Sequence, residues 1–238
     1  MEKKDNSPTS DAAVLKKELH RFAYAVSHDL QAPLRITNGY IKIIQRHLAN
    51  SEDEKLKEYI GLAVDGVKQM EGYLQDLLAY SRVMHAEMIR KPIKITNIIE
   101  LVKYNLREVI EKTNATIIVN DLPESIIGAK ELIKQLFFHL IDNAIKFHKE
   151  GETPEIHIQG TENDNYWTFE IKDEGIGIPE NSHERIFELF QQLHLADEYD
   201  GNGIGLAVCK KIIEMHGGTL SVKSKEGEGA LFAFKIAK

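Results

Sequence analysis

The stretch GNGIGLAVCKKIIEMHGG, residues 201–218, begins with closely spaced glycines and continues with apolar residues at helical spacing. The pattern predicts a helix over residues 205–215 that opens directly after a glycine-rich turn. The first backbone N–H groups of a helix have no partner within the helix, so they bind phosphate well. The stretch therefore predicts a candidate anion site inside a folded domain.

Around this stretch, residues 91–238 mix strand and helix patterns. Short runs of alternating apolar and polar residues predict strands at 116–120, 125–128, 155–162, 166–173, 219–225 and 229–236. Helical patterns cover residues 96–113, with Thr96 as the N-cap, and residues 130–148. Elements in this order predict an α/β sandwich with the helices on one face of the sheet.

Residues 11–90 carry a purely helical pattern, and we expect residues 1–10, which are polar, to be disordered. A first helix runs to about residue 47, and a second helix has a seven-residue repeat. The repeat consists of Leu56, Ile60, Ala63, Val67, Met70, Leu74, Leu77 and Ser81. One helical hairpin leaves much of this apolar stripe exposed, so we expect a homodimer that forms a four-helix bundle. The fold class is then α+β, with Lys91-Pro92 as the hinge between the domains.

A histidine beside an aspartate stands on the first helix, in SHDLQAPLR (residues 27–35). At 100° per residue, His28 lies about 160° from Val26 and Leu30, so it points away from the apolar seam. Imidazole is a fair nucleophile near neutral pH, and Asp29 can orient the ring and accept a proton. The alternative is a solvated His-Asp pair on a helix that tolerates a proline.

Two further segments carry residues suited to a nucleotide. In HLIDNAIKF (139–147), Asn143 and Lys146 share a helix face, and an amide oxygen suits Mg²⁺ whereas an ammonium suits phosphate. In DEGIGIP (173–179), Asp173 follows a strand and can accept a hydrogen bond from an adenine amino group. Gly175 and Gly177 let the backbone approach a ligand closely.

Each segment alone has an ordinary structural explanation, such as a turn, a loop cap or a strand end. The glycine spacing does not fit a Rossmann turn, and the absence of GKS or GKT excludes a P-loop. A net charge of −7 argues against nucleic acid as the main partner. With one cysteine, no apolar run long enough for a membrane and no signal peptide, we expect a cytoplasmic protein.

Together these segments resemble the catalytic core of sensor histidine kinases, in the branch common among phytochrome-type and PAS-linked kinases. SHDLQAPLR resembles their histidine box, and HLIDNAIKF resembles their asparagine box. DEGIGIP and GNGIGLAVCKKIIEMHGG resemble the two glycine boxes, and IFELFQQLH resembles the phenylalanine box between them. The similarity runs from about residue 20 to the C-terminus.

The resemblance implies a dimerisation and phosphoacceptor domain at 11–90 and a Bergerat-type ATP-binding domain at 91–238. It implies ATP-dependent phosphorylation of His28, which Asp29 orients and deprotonates, and phosphoryl transfer to an aspartate of a response regulator. Asn143 would hold Mg²⁺, Lys146 would contact phosphate and Asp173 would read the adenine. The residues that shape the pocket and a lid over about residues 193–202 would be Gly175, Gly177, Gly203, Gly205 and Leu206.

Three positions depart from the family pattern. Ala32 stands where such kinases often have Thr or Asn for dephosphorylation, so we expect weak phosphatase activity. Gln192 stands where a basic residue is frequent, and His139 replaces a common asparagine.

Other functions would use the same nucleotide fold. A gyrase- or MutL-type ATPase needs a glutamate where this chain has His139. A serine/threonine kinase of the anti-sigma-factor type would not explain the hairpin that carries His28. A nucleotide-binding scaffold without activity stays open because of Ala32 and Gln192.

Overall fold

The computed structural model describes residues 30, 34–46, 48, 53–193 and 202–238. The chain divides into two compact units, Met1–His85 and Ala86–Lys238. His28, Asp29 and Ala32 lie outside the described residues, as do residues 194–201 of the expected lid. None of the helices in the described ranges is long and apolar enough to cross a bilayer.

The described part of the first unit contains two helices, α1 over residues 34–46 and α2 (Glu54–His85). Asp53 starts α2, since its Oδ1 accepts a hydrogen bond from the N–H of Leu56 at 3.1 Å. Helix α2 buries Ile60, Val64, Val67, Leu78, Ser81 and Val83. The predicted seven-residue repeat therefore coincides only in part with the residues that a single chain buries. Of its members, Ala63 is exposed, and the side chain of Met70 is 46% exposed.

A polar contact joins the two helices. Asn38 of α1 is only 8% exposed, and its Nδ2 donates to both carboxylate oxygens of Glu71 on α2 at 3.3 Å. Because Asn38 and Glu71 are 33 residues apart, this contact places α1 and α2 side by side, as a helical hairpin requires.

The second unit opens with strand β1 (Lys91–Ile93), which pairs antiparallel with β3 (Ile126–Gly128). The expected hinge at Lys91-Pro92 is therefore part of a strand. The single helix expected over 96–113 is instead α3 (Ile95–Asn105) followed by α4 (Arg107–Thr113), separated at the buried Leu106. Thr96 is not the N-cap, because α3 begins at Ile95 and Lys94 is the N-cap residue.

The main sheet has five strands in the order β2-β4-β5-β7-β6. They are β2 (Thr116–Val119), β4 (Glu155–Glu162), β5 (Tyr166–Asp173), β6 (Leu220–Ser224) and β7 (Ala230–Ala237). Strand β2 is parallel to β4, and the other neighbours are antiparallel. Burial alternates along β4, β5 and β7, so one face of the sheet forms the core.

Helices α5 (Lys130–Lys146) and α6 (Gly205–Met215) cover that face. Between β5 and α6, the chain makes short 3₁₀ turns at Glu180–Ser182 and Arg185–Phe187. Three phenylalanines fill the space between α5 and the sheet, with ring centroids 5.2–5.7 Å apart: Phe137, Phe169 and Phe234. A helical N-terminal unit followed by an α/β sheet domain confirms the predicted fold class.

Candidate functional site

The last turn of α5 carries Asn143 and Lys146, both half-buried. The helix ends at Phe147, whose N–H donates to the carbonyl of Asn143 at 3.0 Å, and whose carbonyl accepts from Ile176 at 2.9 Å. A Cβ at Gly175 would overlap the same Phe147 carbonyl oxygen. The loop after β5 therefore lies directly against the end of α5, and only glycine permits that approach at residue 175.

Asp173, the last residue of β5, is 8% exposed. Its Oδ1 accepts hydrogen bonds from the backbone N–H groups of Gly175 at 2.9 Å and Ala230 at 3.1 Å. No described residue donates to Oδ2. Burial raises the pKa of Asp173 above its usual value, although these two bonds and Lys172 oppose the rise. The result is a carboxylate fixed through one oxygen, with the other able to accept a hydrogen bond.

Gly177 holds the loop after β5 against the β6–β7 turn. Its φ is +72°, and a Cβ there would overlap the carbonyl oxygen of Lys225. In addition, the N–H of Gly227 donates to the carbonyl of Ile176 at 2.7 Å. The loop that carries Gly175 and Gly177 is therefore fixed from two sides, by α5 and by the β6–β7 turn.

The start of α6 also lies against α5. A Cβ at Gly205, the first residue of α6, would lie 3.2 Å from Nδ1 of His139, one turn before Asn143. Ile204 precedes the helix and offers no side-chain cap, so no described side chain caps the first N–H groups, with Leu206 among them. These donors are suited to an anion, as the glycine-rich turn predicts.

The two flanks of the expected lid are in contact. Gly203 has a φ of +70°, and a Cβ there would lie 2.5 Å from the carbonyl oxygen of Gln191. Phe190, next to this contact, also has a positive φ of 64°. The backbone segments that precede and follow residues 194–201 are therefore in close contact with each other.

The structure therefore brings Asn143, Lys146 and Asp173 together with the glycines of both turns. It does not describe His28 or Asp29, so the phosphoacceptor half of the predicted site stays a prediction. Burial raises the pKa of Asp142, the residue before Asn143, and the charge of Lys146 partly offsets this rise.

Comparison with protein families matches two domains in this chain. Residues 18–86 match the His Kinase A (phospho-acceptor) domain. Residues 128–238 match the family of histidine kinase-, DNA gyrase B- and HSP90-like ATPases. The second match contains α5, the loop after β5 and α6, the three elements that form the site.

Cyanobacterial phytochrome A of Nostoc sp. is 42% identical over 219 residues, which is 92% of this chain and 28% of that protein. The structure of full-length ShkA in complex with AMPPNP matches 91% of this chain and 45% of its own, with a TM-score of 0.66 at 22% identity. The structure of the histidine kinase ThkA in complex with the response regulator protein TrrA has a TM-score of 0.62 at 26% identity, over 97% and 64% of the two chains.

A phosphoacceptor domain followed by an ATPase domain of this type defines the catalytic core of a sensor histidine kinase. The chain belongs to this family, and its relatives include phytochrome-type members. It spans less than a third of the length of the cyanobacterial phytochrome that it matches.

Proposed function

We propose that this chain transfers the γ-phosphoryl group of ATP to His28 and then to an aspartate of a response regulator. One observation carries the proposal: the loop that holds Asp173 and the turn that holds Gly205 both lie against α5, close to Asn143 and Lys146. Residues 11–90 would act as the dimerisation and phosphoacceptor domain, and residues 91–238 as the ATP-binding domain.

The fixed carboxylate supports adenine as the base. Asp173 would accept a hydrogen bond from the adenine amino group through Oδ2, because backbone donors occupy Oδ1. The glycines of the loop leave room for the flat base beside the backbone. The uncapped N–H groups of α6 and the ammonium of Lys146 would contact the phosphates. ShkA, which shares the fold, is known in complex with AMPPNP, and this supports the assignment of ATP.

The residues at the end of α5 fit a Mg²⁺ site whose ligands are shared between the protein and the nucleotide. Among the described residues, no group of three or more His, Cys, Asp or Glu side chains is placed to hold a metal by itself. Asn143 would therefore supply an amide oxygen to the ion, and its other ligands would come from phosphate oxygens and water. When bound, the ion would neutralise charge that develops on the phosphates during transfer.

For the chemical step, a ring nitrogen of His28 attacks the γ-phosphorus while the bond from that phosphorus to the bridging oxygen breaks, and ADP leaves. Asp29 accepts the proton from the other ring nitrogen and holds the ring in one orientation. The phosphoryl group then passes to an aspartate carboxylate of a response regulator while the bond from phosphorus to the ring nitrogen breaks. Asp29 returns its proton to the other ring nitrogen, and this regenerates neutral His28. The ThkA–TrrA complex supports a response regulator as the partner.

A second copy of the chain fits the first unit. The hairpin exposes large apolar side chains, namely Ile36, Tyr40, Ile43, Ile44, Tyr59, Leu62 and Met70. A homodimeric four-helix bundle would bury such a surface. We expect this assembly to act in the cytoplasm, where ATP is available, with weak phosphatase activity because Ala32 offers no polar group.

The decisive experiment incubates the chain with γ-labelled ATP and Mg²⁺ and then tests the stability of the protein-bound label. Phosphohistidine is labile in acid and stable in base, so the label should survive only base. The His28→Ala variant should take up no label but should still bind ATP. Label that persists in His28→Ala would contradict the proposal, and so would the absence of label from the wild type.

A further inference from the structure

The hydroxyl of Ser224 connects two segments that lie on either side of it. Ser224 is the last residue of β6, and its Oγ accepts a hydrogen bond from the N–H of Ile178 at 2.8 Å. The same hydroxyl donates to the carbonyl of Gly229 at 2.5 Å. One small side chain thus ties the loop after β5 to the turn before β7.

Both segments hold Asp173. Residue 230, directly after Gly229, supplies the N–H that binds Oδ1 of Asp173 at 3.1 Å. Gly229 itself has a φ of +76°, and a Cβ there would overlap the backbone carbonyl oxygen of Asp173. Ile178 ends the glycine loop whose Gly175 donates the other bond to Oδ1. Ser224 therefore holds the two backbone segments that supply both hydrogen bonds to this carboxylate.

We propose that Ser224 is a positioning residue that fixes the Asp173 carboxylate and thereby sets the preference of the site for adenine over guanine. The inference rests on the proposed function, in which Asp173 reads the base. Adenine presents an amino donor at its six-position, whereas guanine presents a carbonyl acceptor there. A carboxylate in a fixed position binds the first and repels the second, and one that can turn away loses this discrimination.

Loss of the hydroxyl leaves the N–H of Ile178 and the carbonyl of Gly229 without this partner. The loop and the turn then relax, and the Asp173 carboxylate is no longer held at one angle to the base. We expect the Kd for ATP to rise about fivefold, as the loss of one net hydrogen bond implies. The Kd for GTP should change much less, so the Kd for GTP divided by the Kd for ATP, which measures the preference for adenine, should fall.

The sharpest pair of variants is Ser224→Thr and Ser224→Val, which have nearly the same shape, with a methyl group in valine where threonine has its hydroxyl. Ser221→Ala is the matched control, since Ser221 lies on the same strand and donates to the carbonyl of Ala233 at 3.3 Å, away from the loop. The measurement is competition of ATP and of GTP against a fluorescent ATP analogue, with Mg²⁺ present. Fluorescence of Trp167, the single tryptophan, verifies that each variant is folded.

The expected result is a wild-type ATP-to-GTP preference in Ser224→Thr and Ser221→Ala, and a reduced preference in Ser224→Val. An unchanged preference in a folded Ser224→Val overturns the inference. Asp173→Asn separates this failure from that of the proposed function. If Asp173→Asn loses the preference while Ser224→Val keeps it, only the role of Ser224 fails. If Asp173→Asn also keeps the preference, the assignment of Asp173 to adenine fails.

Discussion

Nε2 of His216 accepts a hydrogen bond from the backbone N–H of Ala129 at 3.1 Å. Nδ1 of the same ring donates to the carbonyl of Ile212 at 2.8 Å, and the side chain is fully buried. His216 follows the end of α6, and Ala129 directly precedes α5. The ring therefore joins the ends of α5 and α6 that lie away from the candidate site, and it must be neutral to do so.

This contact predicts loss of stability in mild acid. Burial lowers the pKa of His216 below its ordinary value of 6.5, and nearby Arg90 adds to this, while the Ile212 carbonyl opposes it. Because the unfolded chain binds the proton more tightly, the contribution of neutral His216 is complete above about pH 6.5. It is lost as the pH falls from there towards the folded-state pKa, by up to about 1.4 kcal/mol per pH unit.

The measurement is urea unfolding of the second unit, monitored by the fluorescence of Trp167. It is repeated at pH values from about 7.5 to about 5, a range that includes the ordinary histidine pKa of about 6.5. In His216→Gln, an amide oxygen can still accept from Ala129 but does not titrate. The free energy of unfolding of this variant should therefore fall less steeply with acid than that of the wild type. Equal slopes for the two proteins would refute this role for His216.

Gly177→Ala should be far more costly than Gly227→Ala. Both glycines have a positive φ, +72° and +81°, so both variants incur about 1 kcal/mol of backbone strain. At residue 227 nothing lies within 4 Å of a new Cβ, whereas at residue 177 it would overlap the carbonyl oxygen of Lys225. Separation of the loop from the β6–β7 turn should therefore weaken ATP binding in Gly177→Ala alone.

Urea unfolding and ATP titration of the two variants check this difference. We expect the free energy of unfolding of Gly177→Ala to be lower by roughly 3 kcal/mol or more, because the new methyl group overlaps a backbone atom that cannot move away. Equal losses in the two variants would mean that the contact with Lys225 contributes nothing beyond the conformation of the glycine.

Gly205 and His139 should be energetically coupled. An added methyl at residue 205 would lie 3.2 Å from Nδ1 of His139, which is closer than most Cβ contacts, so the ring or the start of α6 must shift slightly. Gly205→Ala should displace the start of α6 and raise the Kd for ATP several-fold. The same substitution in a His139→Ala background should cost less, because the smaller side chain leaves room.

A double-mutant cycle on ATP binding measures this coupling, and we expect at least about 0.5 kcal/mol between the two positions. Gly66→Ala, where a new Cβ would meet nothing within 4 Å, is a control on the other unit. Strict additivity of Gly205→Ala and His139→Ala would show that the ring does not limit the position of α6.

The sequence predicts long alternating or periodic elements well and short non-local ones poorly. The bounds of β4, β5 and α6 agree with the patterns, since each element has enough residues to show its period. Strand β1 has three residues and exists because it pairs with β3, more than thirty residues away, so no local pattern marks it. The break at Leu106 is equally hidden, because a buried leucine suits a continuous helix.

For the candidate site, residue chemistry and family resemblance identified the segments. The contacts between these segments could be seen only in the three-dimensional structure. Asp173 stands in a recognisable motif, but Ser224 is 46 residues from its partner Ile178 and carries no signal of its own. The same holds for the carbonyl of Phe147, which explains why residue 175 is glycine. Backbone atoms that shape a site leave no mark on the sequence except through the glycines that they require.

Ala32→Thr should increase phosphatase activity towards a phosphorylated response regulator. On the helix that the sequence predicts, a threonine hydroxyl four residues after His28 can orient a water molecule, whereas alanine cannot. Ala32→Val is the matched control, because it has the shape of threonine without the hydroxyl. The measurement is the decay of a labelled regulator after addition of each variant. Rapid decay with the wild-type chain would contradict the expected weak activity.

Asn38→Leu should stabilise the helical hairpin, whereas Glu71→Leu should destabilise it. Oδ1 of Asn38 is buried and accepts no hydrogen bond from the described residues, so leucine removes an amide oxygen that has lost its water. Removal of Glu71 instead deprives the amide nitrogen of both of its carboxylate acceptors. The costs are asymmetric, because a buried polar group left without a partner loses about 1–3 kcal/mol.

Thermal unfolding followed by far-UV circular dichroism reports on the helices of both units, whereas the fluorescence of Trp167 reports on the second unit alone. A change seen by circular dichroism and not by Trp167 therefore belongs to the hairpin. The double variant Asn38→Leu/Glu71→Leu should be at least as stable as the wild type, since two apolar side chains then replace the polar pair. Gln75→Leu, an exposed position on α2, controls for added hydrophobicity and should change little. A destabilised double variant would show that the Asn38–Glu71 contact itself holds α1 against α2, and that its hydrogen bonds outweigh the cost of burying them.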